Sequence, residues 1–147
     1  VRLSVGYPDR DAQIAMLRAR QDENPLDRVC QVASREDVLA MQTAVRAESV
    51  SDAILDYITR LTMASREHPM LEVGVSPRGA LCLCRMAKAR AYLLGRDYVV
   101  GEDVQDVWQD VCAHRVAATP KARLSGTTNA DILHDLLSSV ESPDQRL

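Results

Sequence analysis

Two apolar stripes of helical period, set only a few residues apart, restrict this chain more than any other feature. The first lines up Ala80, Leu83, Cys84, Ala87, Ala91 and Leu94, and the second Val104, Val107, Trp108, Val111 and Cys112. Apolar side chains that recur every three to four residues form one face of a helix, and that face must be covered. The small residues of the first stripe permit a neighbouring helix to come close. Gly95 supplies its C-terminal stop, and Tyr98-Val99-Val100 reads as a short extended link to the second stripe. With Phe absent and 3% aromatic residues, the core must be built from Leu, Val, Ile, Ala and Met, with Trp108 as its largest side chain.

Further helix starts are marked by capping residues. Asp9 or Asp11 precedes Ile14 and Leu17, in a helix that fades near Asn24-Pro25. Ser34 with Asp37 forms a capping-box pattern before Val38, Met41 and Val45. Ser51 opens a helix carrying Ile54, Ile58 and Leu61 that stops at His68-Pro69, and Thr128 with Asp131 opens one carrying Ile132, Leu133, Leu136, Leu137 and Val140. Thr119-Pro120 is expected to break the helix bearing Trp108, leaving the polar residues 121–127 as a loop. The residues from Ser142 are expected to fray. Residues 1–5 alternate apolar and polar and predict one short N-terminal strand, without a partner in this chain, left over from a preceding sheet. The fold class expected is all-α, a helical bundle.

Several chemistries are excluded. The chain has no phosphate-cradling Gly-x-x-x-x-Gly-Lys-[Ser/Thr] loop, no His-Glu-x-x-His and no Gly-x-Ser-x-Gly elbow. His68, His114 and His134 are isolated, and Cys30, Cys82, Cys84 and Cys112 lack zinc-site spacing, so no metal site is expected. A net charge of −3 gives no general field for nucleic acid or an acidic membrane, and no apolar stretch is long enough to span a bilayer. Without a signal-peptide layout at its start, the chain reads as cytoplasmic.

Two local signals remain. Ser76 at an N-cap and Pro77 at the first helical position hold Arg78 in a first turn, beside N–H groups that favour an anion. The plainer reading is a capped helix with a solvated Arg. Arg78, Arg85, Lys88, Arg90 and Arg96 form a basic cluster, read as a solvated or subunit-facing flank in preference to a nucleic-acid reader. The apolar face of residues 132–140 either completes the core or docks on a partner, and the second choice would make the chain an independent helical protein-interaction adaptor.

The order and spacing of several motifs resemble the C-terminal lid region of the MoxR family of AAA+ ATPases. They are Gly74-Val75-Ser76-Pro77-Arg78-Gly79-Ala80, Ala87-Lys88-Ala89-Arg90-Ala91, Gly95-Arg96-Asp97-Tyr98-Val99, Glu102-Asp103-Val104 and His114-Arg115. Upstream, Gly6-Tyr7-Pro8, Asp56-Tyr57-Ile58 and Ser65-Arg66 follow the same order. The resemblance runs over roughly residues 1–118. It departs at Val100-Gly101, where the family usually has Pro or Thr near the helix start. It implies the end of an ATPase core and a connecting helix over residues 1–30, a helical lid over 31–118, and a linker with an amphipathic helix over 119–147.

By that resemblance Arg78 is the sensor-2 arginine and the catalytic candidate, and Ser76, Pro77 and Arg78 form the nucleotide-binding stretch. ATP and Mg would belong to the full-length protein, with none held by this segment alone. The phosphate loop, the Mg-binding carboxylates and the arginine finger would lie N-terminal to Val1, so the segment by itself is not expected to hydrolyse ATP. The partners implied are the α/β ATPase core, neighbouring subunits of a ring, hexameric by resemblance, and a client protein such as one with a von Willebrand A domain. Neither a membrane nor nucleic acid is among them.

Overall fold

A computed structural model describes residues 1–21 and 24–143. Among these residues the chain is mostly helical, with seven α-helices and one two-stranded sheet. It divides into two compact units, one of Leu3–Ala40 and one of Val1–Arg2 with Met41–Leu147.

The smaller unit contains α1 (Arg10–Ala19), a 3-10 turn (Pro25–Arg28) and the start of α2 (Arg35–Ala47). Asp9 caps α1 by accepting from the Ala12 N–H at 2.7 Å. Ser34 and Asp37 form the expected reciprocal pair: the Asp37 N–H donates to Ser34 Oγ at 3.0 Å, and the Ser34 N–H to Asp37 Oδ2 at 2.8 Å. The Ser34 N–H and the Ser34 hydroxyl, both donating to Oδ2, hold the Asp37 carboxyl below its ordinary pKa. Residues 1–9 have no regular secondary structure, so the strand expected over residues 1–5 does not form. Alternation alone makes no strand, because the ladder bonds must come from a neighbour. The Arg2 N–H donates instead to the Asp110 carbonyl at the end of a helix, at 2.9 Å.

The larger unit is built on α3 (Asp52–Glu67), α4 (Pro77–Leu93), α5 (Gly101–Cys112), α6 (Pro120–Leu124) and α7 (Asn129–Ser139), with strands β1 (Leu71–Val73) and β2 (Ala117–Ala118). The two strands pair antiparallel, Leu71 with Ala118 and Val73 with Ala117. Nothing in three- and two-residue segments announces such pairing. The α4–α5 contact is the most extensive in the fold. Helix α4 buries Gly79, Leu83, Ala87 and Ala91 on one stripe, and α5 buries Val104, Trp108, Val111 and Cys112. The small stripe and the large one therefore complement each other in volume, as close packing requires.

Trp108 is fully buried, and its indole N–H donates to the Leu133 carbonyl of α7 at 3.0 Å, so its polar edge is satisfied inside the core. Tyr57 accepts from Gln105 Nε2 at 3.3 Å. Burial pushes the Cys112 thiol up to about 12, in keeping with a small apolar core residue.

Thr119-Pro120 starts a helix, where the sequence predicts a break followed by a polar stretch. Thr119 Oγ1 accepts from the Ala122 N–H at 3.2 Å with Pro at the first position, the same device as Ser76-Pro77. The preceding helix has already ended at Cys112, where Asn129 Nδ2 donates to both Ala113 O and Val116 O at 3.0 Å and fixes the turn. Helix α7 buries Ile132, Leu133 and Leu136 against α3 and α5. Its apolar face completes the core, which removes the surface that an adaptor would have used.

Candidate functional site

Every residue of the stretch from Gly74 to Gly79 has a structural reason to be there except one. Gly74 passes so close to the end of α3 that a Cβ would lie 2.6 Å from Arg66 Cα and from the Ser65 carbonyl oxygen. Val75 is fully buried, and both of its backbone groups are engaged. Its N–H donates to Ser65 Oγ at 2.9 Å, and its carbonyl accepts from Arg66 Nε at 2.8 Å. Ser65, itself fully buried, donates its hydroxyl to the Thr62 carbonyl at 2.7 Å. Ser76 Oγ accepts from the Gly79 N–H at 3.2 Å and caps α4, while Pro77 fixes the first helical φ. A Cβ at Gly79 would lie 2.6 Å from Val75 Cγ1.

Arg78 is what remains. It is exposed, and among the described residues its side chain has no hydrogen-bond or ion-pair partner. A guanidinium that could have found a carboxylate is instead carried, uncommitted, on the first turn of a rigid 17-residue helix. The turn is also braced from just beyond α5. Arg115 Nε donates to the Val111 carbonyl at 2.9 Å, its Nη2 lies 3.7 Å from Cys82 Sγ, and its stem lies beside Gly79. Ser76 and Pro77 are thus helix-starting residues and Arg78 the free cation, three adjacent residues with different work. Among the described residues, no group of three or more His, Cys, Asp or Glu is placed to hold a metal ion.

The motif downstream has the opposite character. Arg96 makes a two-pronged pair with Asp103, Nη1 to Oδ2 at 2.8 Å and Nη2 to Oδ1 at 2.6 Å, and its Nη1 also donates to the Tyr98 carbonyl at 2.9 Å. Asp103 is only 1% exposed and accepts in addition from the Val100 N–H at 2.9 Å. Val100 has no side-chain oxygen with which to cap α5, so Asp103 covers the start of the helix from within its first turn. Burial pushes the Asp103 carboxyl up. The Arg96 bonds, the Val100 N–H and the charges of Arg96 and Arg90 outweigh it, leaving the pKa below the ordinary carboxylate value. The extended link is tied to the segment after α2 as well, with the Ser49 N–H on the Asp97 carbonyl at 2.9 Å and the Val99 N–H on the Ser49 carbonyl at 3.0 Å.

The same accounting dissolves most of the basic cluster. Lys88 Nζ donates to the Arg46 carbonyl at 3.0 Å, Arg90 pairs with Asp106 and lies 3.6 Å from Asp103, and Arg96 is held as above. A nucleic-acid surface would need those cations free. Sequence reasoning missed the functions of Ser65, Arg66, Arg115 and Asp103. Spacing could not show most of them, because Ser65 and Arg66 meet Val75, Arg115 meets Cys82 and Asp103 meets Arg96 across turns.

The AAA lid domain family matches residues 63–136. YeaC of Bacillus subtilis is 32% identical over 145 residues, which span 99% of this chain and 45% of that protein. Chaperone MoxR1 of Mycobacterium tuberculosis is 28% identical over 97% of this chain and 40% of its own length. Protein MoxR of Methylorubrum extorquens is 41% identical over 71 residues, 48% of this chain and 20% of that protein. A crystal structure described as an ATPase from Cytophaga hutchinsonii superposes with a TM-score of 0.85 at 27% identity, over 95% of this chain and 45% of that one. The chain spans less than half the length of each of these relatives.

Proposed function

Because the chain belongs to the AAA lid domain family and is the lid region of a MoxR-type AAA+ ATPase, we propose that it couples ATP binding and hydrolysis to work on partner proteins. Arg78 is its sensor. The observation that carries this reading is the free guanidinium of Arg78 on a first turn whose every neighbour is consumed by packing or capping. Guanidinium is always charged and presents a planar fork of donors matched to phosphate oxygens. Held on α4, it would move as a body with α4 and α5, so contact with the terminal phosphates of ATP would fix the angle of the lid over the nucleotide.

In this reading the phosphates sit on an α/β core joined to the lid, and Mg is held there, by carboxylates outside this chain. Mg would neutralise charge on the phosphate oxygens when bound. Arg78 adds a donor from the lid side and stabilises charge that develops on the terminal phosphate. Ser76 and Pro77 set the helix start that aims it. The assembly is a ring, a hexamer, in the cytoplasm, and its clients are other proteins, with a von Willebrand A domain as one candidate.

The test is Arg78→Ala in the full-length ATPase. Loss of one charge-stabilising donor is worth about 2.7–4 kcal/mol, so turnover should fall by at least an order of magnitude. The melting temperature should stay where it was, since the Arg78 side chain makes no bond among the described residues. Unchanged turnover would defeat the assignment.

A further inference from the structure

We infer that Ser65 and Arg66, at the C-terminal end of α3, are positioning residues for Arg78, an inference that rests on the sensor reading above. Three observations converge on Val75, the residue just before the Ser76 cap. Its N–H and its carbonyl are both bonded by consecutive residues of α3, through Ser65 Oγ and Arg66 Nε. Its side chain is fully buried and presses on Gly79, one residue beyond Arg78. Gly74 brings the backbone within a distance of α3 that no Cβ would allow.

With its N–H and its carbonyl both bonded, Val75 has the peptide planes on either side of it fixed, and the helix that begins two residues later inherits that fixity. Arg78 lies three residues from Val75, so the lever arm between clamp and guanidinium is short. Stability requires partners for the backbone of a fully buried residue, and here both come from consecutive residues of a neighbouring helix, so the bonds that satisfy Val75 also set where α4 begins. Ser65 needs its hydroxyl for two bonds at once, donating to Thr62 and accepting from Val75. Arg66 is exposed, yet it spends its Nε on a backbone carbonyl. What the clamp adds is a fixed origin for α4 relative to α3. A misplacement of about 1 Å at a reacting centre can cost on the order of 100-fold in rate.

The experiment is a double-mutant cycle in the full-length ATPase, with Ser65→Ala, Arg66→Ala and Arg78→Ala alone and the first two each combined with the third. Turnover and the apparent affinity for ATP are read for every variant. Ser65→Ala and Arg66→Ala should each lower turnover roughly 10- to 100-fold. Neither should lower it further in the Arg78→Ala background, because a residue that acts through Arg78 has nothing left to position. Arg66→Lys, which keeps a donor for the Val75 carbonyl, should recover part of the loss. Ser65→Ala leaves a buried N–H unpaired and can unfold the lid; in that event Arg66→Ala, at an exposed residue, decides the matter.

If Arg78→Ala is impaired while the clamp variants turn over normally, or lose the same factor with and without Arg78, the clamp is purely structural and the inference is overturned. If Arg78→Ala itself turns over normally, the sensor reading beneath it has failed.

Discussion

Arg78 and Arg96 stand at the two ends of the same helical hairpin, in motifs that look equally distinctive as text, yet the structure uses them in opposite ways. Arg96 is committed: it holds both oxygens of buried Asp103 and the Tyr98 carbonyl, closing the turn between α4 and α5. Arg78 is exposed and makes no such bond among the described residues. The difference teaches that an arginine in a recognisable motif is informative about ligands only after its internal partners have been counted. Here that count separates a residue that builds the lid from one that the lid presents.

Exchanging the two arginines for alanine is the sharpest way to break the comparison. Arg96→Ala strips the main partner from a carboxylate that is 1% exposed; Arg96 is itself partly exposed and Asp103 keeps Arg90 and the Val100 N–H, so the cost should lie below the roughly 3–5 kcal/mol of a fully buried pair. The lid should melt many degrees lower, read by circular dichroism, whatever its effect on turnover. Arg78→Ala should shift stability by less than about 0.5 kcal/mol, as surface changes without structural partners do. Equal melting temperatures for the two variants would erase the contrast.

A smaller effect sharpens the contrast at the helix starts. Ser76→Ala and Thr119→Ala each remove a side-chain cap and should each cost about 1 kcal/mol of stability. Only Ser76→Ala should also reduce ATP turnover in the full-length protein, because only that cap lies next to Arg78. A matching activity loss from Thr119→Ala would show that lid stability alone governs turnover.

The smallest effect concerns acid. The Asp103 pKa is lowered on folding from its ordinary value of 3.8, so its contribution is fully present above that value and is lost as pH falls through the lower folded one. Asp37 and Asp131 are lowered by their capping bonds and act with the same sign. Thermal unfolding followed from pH 7 down to about pH 3 should fall more steeply for the native lid than for Asp103→Asn, which has lost this carboxylate. Parallel curves would mean that the pair contributes no pH-dependent stability.

Much of the fold was legible because capping chemistry is local. Asp9, Ser34, Ser51, Ser76 and Thr128 all start helices where their sequence neighbourhood says they should. Trp108 and the face of Ile132, Leu133 and Leu136 are buried as their periodicity requires. What stayed hidden depends on residues far apart in sequence. Pairing of β1 with β2 joins segments more than forty residues apart, and Asn129 fixes a turn thirteen and sixteen residues before it. Thr119-Pro120 was misread because Pro both breaks and starts helices, and only the burial of Ala122 and a satisfied cap distinguish the two. Residues 1–5 alternate like a strand, but alternation describes a face and supplies no partner.

The candidate site was half legible. Ser76-Pro77-Arg78 could be read as a cap, a start and a cation, whereas the bonds that fix Val75 just ahead of them come from Ser65 and Arg66 on another helix.

The most direct measurement of the central claim is a structure of the full-length ATPase with a nonhydrolysable ATP analogue bound. The account predicts the Arg78 guanidinium at hydrogen-bonding distance, about 3 Å, from an oxygen of the terminal phosphates in at least one nucleotide-bound subunit. A side chain that faces solvent in every subunit, with the phosphates satisfied by other groups, would contradict it.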